Sequence, residues 1–208
     1  MKRFAGLAAV VVLVAAPNLR AASPKGPLPN IGNLSHWNRT SKLAEIRNGM
    51  FYLDALRSQT PIAVFRKDVS LAGPDVSVEF KVEAVGSGNR AFGLVFGSTD
   101  SGTYHCVHIT RNEVSLCRVA PGQGRLVLDK RGIFTRREGQ WHTVRVACEG
   151  NLVRVFYDGR FLFAFRAQGL KPGNVGVYAS EGRAWVRRLD YRGRAVRLPK
   201  AWKLLDKE

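Results

Sequence analysis

The sequence predicts an all-β fold: two antiparallel sheets packed face to face. Three observations carry this. From about residue 43 to residue 191 the apolar residues recur with period two, the pattern of half-buried strands. Turn sequences separate the runs, among them Asn48-Gly49, Glu149-Gly150-Asn151 and Asp158-Gly159, and such turns join antiparallel neighbours. No long run before residue 198 repeats its apolar residues at the helical period. About twelve strands in one domain of ordinary size make a sandwich.

The elements follow in chain order. Lys2 and Arg3 precede an apolar run of 12 residues, Ala5–Ala16. That run is too short for a bilayer, which takes about 20 residues. With the cut after Leu19-Arg20-Ala21, residues 1–21 read as a secretory signal peptide, so the protein is expected to be secreted or periplasmic, without a membrane span. Residues 22–33 contain SPKGPLPN and read as a Pro-rich linker. The sandwich is assigned to 34–192. Within it VSVEFKVEAV alternates, with Val76, Val78, Phe80 and Val82 on one face. AFGLVFG aligns Phe92, Leu94 and Phe96, TYHCVHIT and EVSLCRV align Val107, Ile109, Val114 and Leu116, and WHTVRVAC aligns Val144, Val146 and Cys148. Pro121-Gly122 and Pro172-Gly173 mark longer loops. The basic tail, 193–208, is expected to hold a short helix opened by Pro199, with Trp202 and Leu205 on one side.

Three cysteines remain, so at least one thiol is free. A two-residue loop at Arg111-Asn112 sets Cys106 opposite Cys117. Opposed residues are near enough for a bridge; the pair is then either a disulfide or two thiols. Cys148 reads as an inert buried thiol. One stretch departs from simple alternation. With a tight turn at Asp158-Gly159, Val153 and Val155 face Ala164 and Leu162, which puts Phe156, Phe161, Phe163 and Phe165 on the other face. That second apolar face must be covered, by the Trp202 tail or an N-terminal loop, or serve as a contact surface.

The motifs of the second half resemble a known superfamily. QWHTVRVACEGNLVRVFYDGRFLFAF, PGNVGVYASEGRAWVRRLDY and, upstream, FGLVFGSTDSGTYHCVHI are similar to the hairpins and closing strands of concanavalin A-like lectin and glucanase jelly rolls. The nearest relatives in this resemblance are laminin-G-like modules and secreted bacterial 3-keto-disaccharide hydrolase-like domains. The resemblance covers roughly 31–192. It implies two curved sheets with ligands on the concave face or its rim loops, and carbohydrate as the ligand class. It also makes calcium a conceivable cofactor, for which Asp100 and Asp190 are the candidate ligands.

Catalytic chemistry is less visible. The paired-carboxylate run of related hydrolases is absent, and Glu79 is the one weak catalytic candidate. Glu79 and Glu83 lie about 13 Å apart along a strand, whereas retaining hydrolysis wants about 5–5.5 Å. Candidate ligand-binding residues are Tyr104 and Trp185 for stacking, His108 for hydroxyl groups and Arg145 for anions. Lys+Arg number 33 against 16 Asp+Glu, a net +17. Loss of Lys2, Arg3 and Arg20 with residues 1–21 leaves +14. That excess favours anionic partners; for an exported protein these are acidic polysaccharide or cell envelope rather than nucleic acid. The expectation is an exported, non-catalytic carbohydrate-binding sandwich. The alternatives are a glycoside hydrolase-like enzyme and a structural adhesion module.

Overall fold

The computed structural model describes residue 34 and residues 37–58, 61–66, 69–85, 88–99, 103–131 and 135–195. The expected signal peptide, linker and C-terminal helix, and Asp100, lie outside the described residues. Fourteen strands are described: β1 Trp37–Arg39, β2 Ala44–Arg47, β3 Met50–Asp54, β4 Ile62–Arg66, β5 Leu71–Val82, β6 Ala91–Ser98 and β7 Tyr104–Ile109, then β8 Val114–Ala120, β9 Gly124–Arg131, β10 Trp141–Glu149, β11 Leu152–Tyr157, β12 Arg160–Arg166, β13 Asn174–Ser180 and β14 Arg183–Ala195. They form two seven-stranded sheets. Sheet A has the order β1-β4-β13-β6-β7-β8-β9, and sheet B the order β12-β11-β10-β5-β14-β3-β2. All named pairings are antiparallel. This is the jelly-roll sandwich that the sequence predicts.

The alternation of the sequence becomes the layering of the fold. Val76, Val78, Phe80 and Val82 of β5 are buried against Phe92, Leu94 and Phe96 of β6 in one core. Phe80 and Phe92 stack across the two sheets, centroids 4.1 Å apart and planes at 6°. Trp37 of β1 meets Phe51 of β3 edge-on at 4.6 Å. Rings of this size supply much of the apolar area that holds two sheets together.

The turns behave as their residues require. Asn48 and Gly49 have φ of 52° and 73°, and Asp158 and Gly159 have 45° and 77°. Two positive φ values in a two-residue loop are what tight hairpins need, and Asn-Gly and Asp-Gly tolerate them. The hairpin at Arg111-Asn112 also forms, and it sets Cys106 directly opposite Cys117. Both thiols are free; in this register the pair takes the wider of the two antiparallel spacings.

The four-phenylalanine face does not exist. The register of β11 against β12 shifts between Val155 and Phe156, so that Phe156 faces Phe161 but Val155 faces Phe163 and Val153 faces Phe165. One extra residue in β12 turns the later side chains over. Phe163 is in the core and Phe165 packs against it, while Phe161 stays 57% exposed.

Candidate functional site

The four expected ligand-binding residues do not converge. Tyr104 and His108 project from β7 on the outer side of sheet A, with Cys106 between them. Arg145 of β10 and Trp185 of β14 project from the outer side of sheet B, since their neighbours Val144, Val146, Ala184 and Val186 are core. The whole core separates the two pairs.

On sheet A the outer face is built of aromatic rings laid over glycines. Tyr178 of β13 stands opposite Gly93 of β6, and Gly93 stands opposite His108. A Cβ at Gly93 would overlap the Tyr178 ring. Phe65 of β4 and Tyr104 of β7 approach to 6.3 Å over the strands between them. Beneath these rings Val95, Cys106 and Cys117 are wholly buried.

A directional chain of polar groups runs through this layer. The Arg125 guanidinium, from β9, donates to His108 Nε2, which fixes the proton on Nδ1. Nδ1–H then donates to the Tyr178 hydroxyl. That hydroxyl lies 4.0 Å from Cys106 Sγ, the Cys106 thiol donates a hydrogen bond to Cys117 Sγ, and Cys117 Sγ donates to Ser115 Oγ at 3.5 Å. Burial and the positive charges of Arg125 and Arg136 push the His108 pKa down to about 4. Burial also raises Tyr104 to about 12. In the thiol pair, the hydrogen bond from Cys106 makes Cys117 the easier group to ionise and holds Cys106 protonated. At neutral pH the patch therefore holds a neutral imidazole, two phenols and one cation; His108 and Tyr178 are buried, and both ring nitrogens of His108 are taken within the protein, so the hydroxyl-binding role expected of His108 has no free ring atom to serve it. Tyr104 is half-buried and Arg125 exposed, so these two carry the patch to solvent.

The depressed His108 pKa has a measurable consequence. Above about pH 6.5 the imidazole is neutral both folded and unfolded, and it contributes no pH dependence. As pH falls from about 6.5 to about 4, the unfolded chain takes up the proton first, and stability is lost by about 2–3 kcal/mol from this group. His105, stacked on Phe96 at 6.0 Å and also depressed by burial, adds in the same direction. His108→Gln keeps a donor and an acceptor. Urea midpoints at pH 7 and pH 4.5 should differ less in that variant than in wild type; an equal difference would mean that His108 is not the titrating group.

On sheet B, Arg145 is already engaged. Its Nε and Nη2 donate to the two carboxylate oxygens of Asp75, each at 2.7 Å, a bidentate pair of high geometric quality. The anion-pairing role expected of Arg145 is thus taken within the protein. Trp185 Nε1 donates to Glu83 at 2.6 Å, and its ring lies 4.7 Å from Tyr52, with the Lys81 ammonium 5.5 Å from its centroid. Glu79 is ion-paired with Arg187, which holds its carboxyl below the usual range. A group kept ionised in this way has no proton to give as a general acid.

Metal chemistry finds no support at Asp190. Arg188 takes one of its oxygens at 2.7 Å, and Arg145 and Arg192 line the same cleft; calcium wants six to eight oxygens and no cations. Among the described residues no three His, Cys, Asp or Glu side chains gather as a metal site. Cys148 is held protonated, its pKa pushed up to about 12 by burial and by Asp75. Tyr178 and Arg125 complete the sheet A patch; in sequence Arg125 is one of a basic cluster and Tyr178 one residue of the PGNVGVYASEGRAWVRRLDY motif. Tyr178 was accessible to the same alternation, since Val177 beside it is core.

No protein-family model matches this chain, and no curated protein matches it in sequence. Solved structures do match it in fold. A carbohydrate-binding module, CBM66, from Bacillus subtilis superposes with a TM-score of 0.66 at 12% identity, covering 76% of this chain and 96% of that one. The Emp46p carbohydrate recognition domain, metal-free, gives 0.59 at 14% identity, covering 79% and 94%. A Parabacteroides distasonis protein named as a candidate glycosyl hydrolase gives 0.56 at 10% identity, covering 79% and 91%. At these identities the likeness is one of fold alone, a two-sheet antiparallel jelly-roll sandwich.

Proposed function

We infer that this concanavalin A-like sandwich is a carbohydrate-binding domain, and that sugar meets it on the outer face of sheet A. The carrying observation is the Tyr104–His108–Arg125 patch: a neutral imidazole, locked in one tautomer, between a half-buried phenol and an exposed guanidinium. Sugar rings present C–H faces to aromatic rings and hydroxyls to fixed donors and acceptors. The inner atoms of the chain spend their hydrogen bonds on one another, which holds the outer ones in place. Similarity to modules and lectins named for carbohydrate binding supports the ligand class.

In this reading the domain is exported after loss of residues 1–21 and works outside the cell or in the periplasm, on acidic polysaccharide or cell envelope. Its net charge, +14 once Lys2, Arg3 and Arg20 are lost from the +17 of the full chain, suits an anionic surface. It binds without catalysing: Glu79 is neutralised by Arg187 and lies on sheet B, away from the patch. Among the described residues no helix is long and apolar enough to cross a membrane.

Glycan-array binding of the full chain tests this. Tyr104→Ala and Arg125→Ala should each weaken retention of the glycans bound by wild type by roughly ten-fold, the worth of one well-made contact at about 1.4 kcal/mol. Undiminished retention in both variants, or no wild-type hit, would reject the site or the function respectively.

A further inference from the structure

The outer face of sheet B carries a depression of about 180 Å³, lined by Asp75, Ser77, Arg145, Asp190 and Arg192. Its origin is the register of three strands. Ser77 of β5 is flanked by Asp190 of β14 and Arg145 of β10, and Asp75 is flanked by Arg192 and Ala147. The short Ser77 forms the middle, and Asp75, Arg145, Asp190 and Arg192 rise around it.

The polar groups of this cleft are incompletely matched. Arg145 takes both oxygens of Asp75, so Arg192, opposite Asp75, has no carboxylate partner among the described residues. Asp190 gives one oxygen to Arg188, and its Oδ1 accepts no hydrogen bond. Ser77 Oγ likewise has no side-chain partner among the described residues. An exposed cation, a hydroxyl and a sheltered acceptor thus stand in one small hollow. Beyond Arg145 the same row continues to Phe156, whose ring centroid is 5.4 Å from the guanidinium, and to the exposed Phe161. A buried acceptor left unmade is costly, and the deficit defines its complement: a molecule bearing an anionic group and hydroxyls together.

We propose that this cleft is a second carbohydrate subsite, selective for a carboxylate-bearing sugar residue such as a uronate. The uronate carboxylate pairs with Arg192, and its hydroxyls reach Ser77 and Asp190. The proposal deepens the carbohydrate reading of the sheet A face and names the acidic sugar class, but it rests on residues from the other side of the sandwich, so the two can fail separately.

The test is titration calorimetry of the full chain with galacturonic acid trisaccharide, with neutral galactose trisaccharide as the control. Wild type should bind the uronate at least ten-fold more tightly, and its binding should weaken as salt rises. Arg192→Ala and Asp190→Asn, both on partly or fully exposed residues, should each lose at least ten-fold, and Arg192→Lys should lose less. Equal binding of the two trisaccharides, or uronate binding unchanged in Arg192→Ala, would overturn the proposal. Uronate binding lost only in Tyr104→Ala would also overturn it while leaving the sheet A site standing. No uronate binding by a chain that retains array hits sinks the cleft alone; absence of both sinks the carbohydrate reading as well.

Discussion

Gly93→Ala is expected to cost the protein about 3 kcal/mol, at the upper end of what an inserted methyl does to a packed core. On strand propensity alone the substitution should help, since glycine in a strand is less favourable than alanine by about 0.5–1 kcal/mol. The sign reverses because Tyr178 lies over this glycine and a Cβ would overlap its ring. The ring cannot simply lift. Its hydroxyl is the acceptor for His108 Nδ1 and lies 4.0 Å from Cys106 Sγ, and the residue is only 6% exposed. Displacing it would break the polar chain that presents His108 and Arg125. Urea unfolding of Gly93→Ala, Tyr178→Ala and the double variant separates the causes. The alanine at 93 should cost much less once the ring is gone, giving a coupling energy of at least 1 kcal/mol, as neighbours in contact do. If Gly93→Ala costs the same with and without the ring, the close packing of Tyr178 on β6 is not what makes this position a glycine. Glycan binding offers a second readout, because a chain that folds with Tyr178 displaced should lose affinity on the sheet A face.

How far the sequence spoke for itself depended on whether the information was local. Alternation is local, so the buried faces of β5, β6 and β10 were legible, as was the sharing of one face by Tyr104, Cys106 and His108. Turn chemistry is local too, and Asn48-Gly49 and Asp158-Gly159 adopt the positive φ values their residues permit. A strand pattern tells inward from outward but not which of two sheets an outward residue leaves from. That is why Tyr104 and His108 were grouped with Arg145 and Trp185, which stand across the core from them. The bulge opposite Val155 and Phe156 had no compositional mark, since one extra residue in β12 is as apolar as its neighbours, and it turned the expected four-ring face into two rings in and two out. Arg145 reads from sequence as a free cation because its partner Asp75 is seventy positions away. The opposite holds for Arg192, which is one of many arginines near the end of the chain and is distinguished only by standing opposite an aspartate whose oxygens are already taken.

Arg136 shows the limit most clearly and supplies the other large effect. In sequence it is one of a spread of basic residues, Arg125, Lys130, Arg131, Arg136 and Arg137, with nothing to set it apart. In the structure it is 1% exposed. Its Nη1 donates to the Ile109 carbonyl at 3.2 Å and its Nη2 to the Arg90 carbonyl at 3.1 Å, with Glu138 at 3.8 Å, itself held by Arg90 at 2.7 Å. It ties the ends of β6 and β7 to the segment that leads into β10. Carbonyl acceptors carry no side-chain signature, so nothing in the sequence marks the site. Arg136→Ala should lower stability by about 3–5 kcal/mol, because it leaves two carbonyls unpaired and opens a cavity. Arg136→Lys should recover part of this, since one ammonium cannot span both carbonyls as a planar fork does. Arg136→Met, which keeps apolar volume, should fall between them if hydrogen bonding rather than packing dominates, and should match wild type if the burial cost of the charge offsets its bonds. The same residue acts at a distance on the sheet A patch, where its charge helps to depress His108. In Arg136→Met the His108 pKa, followed by the imidazole proton shifts, should therefore rise from its low value toward the ordinary range while Arg125 remains in place. A variant that unfolds no more easily than wild type and leaves His108 unmoved would show that Arg136 neither anchors β6 and β7 nor sets the field at the patch.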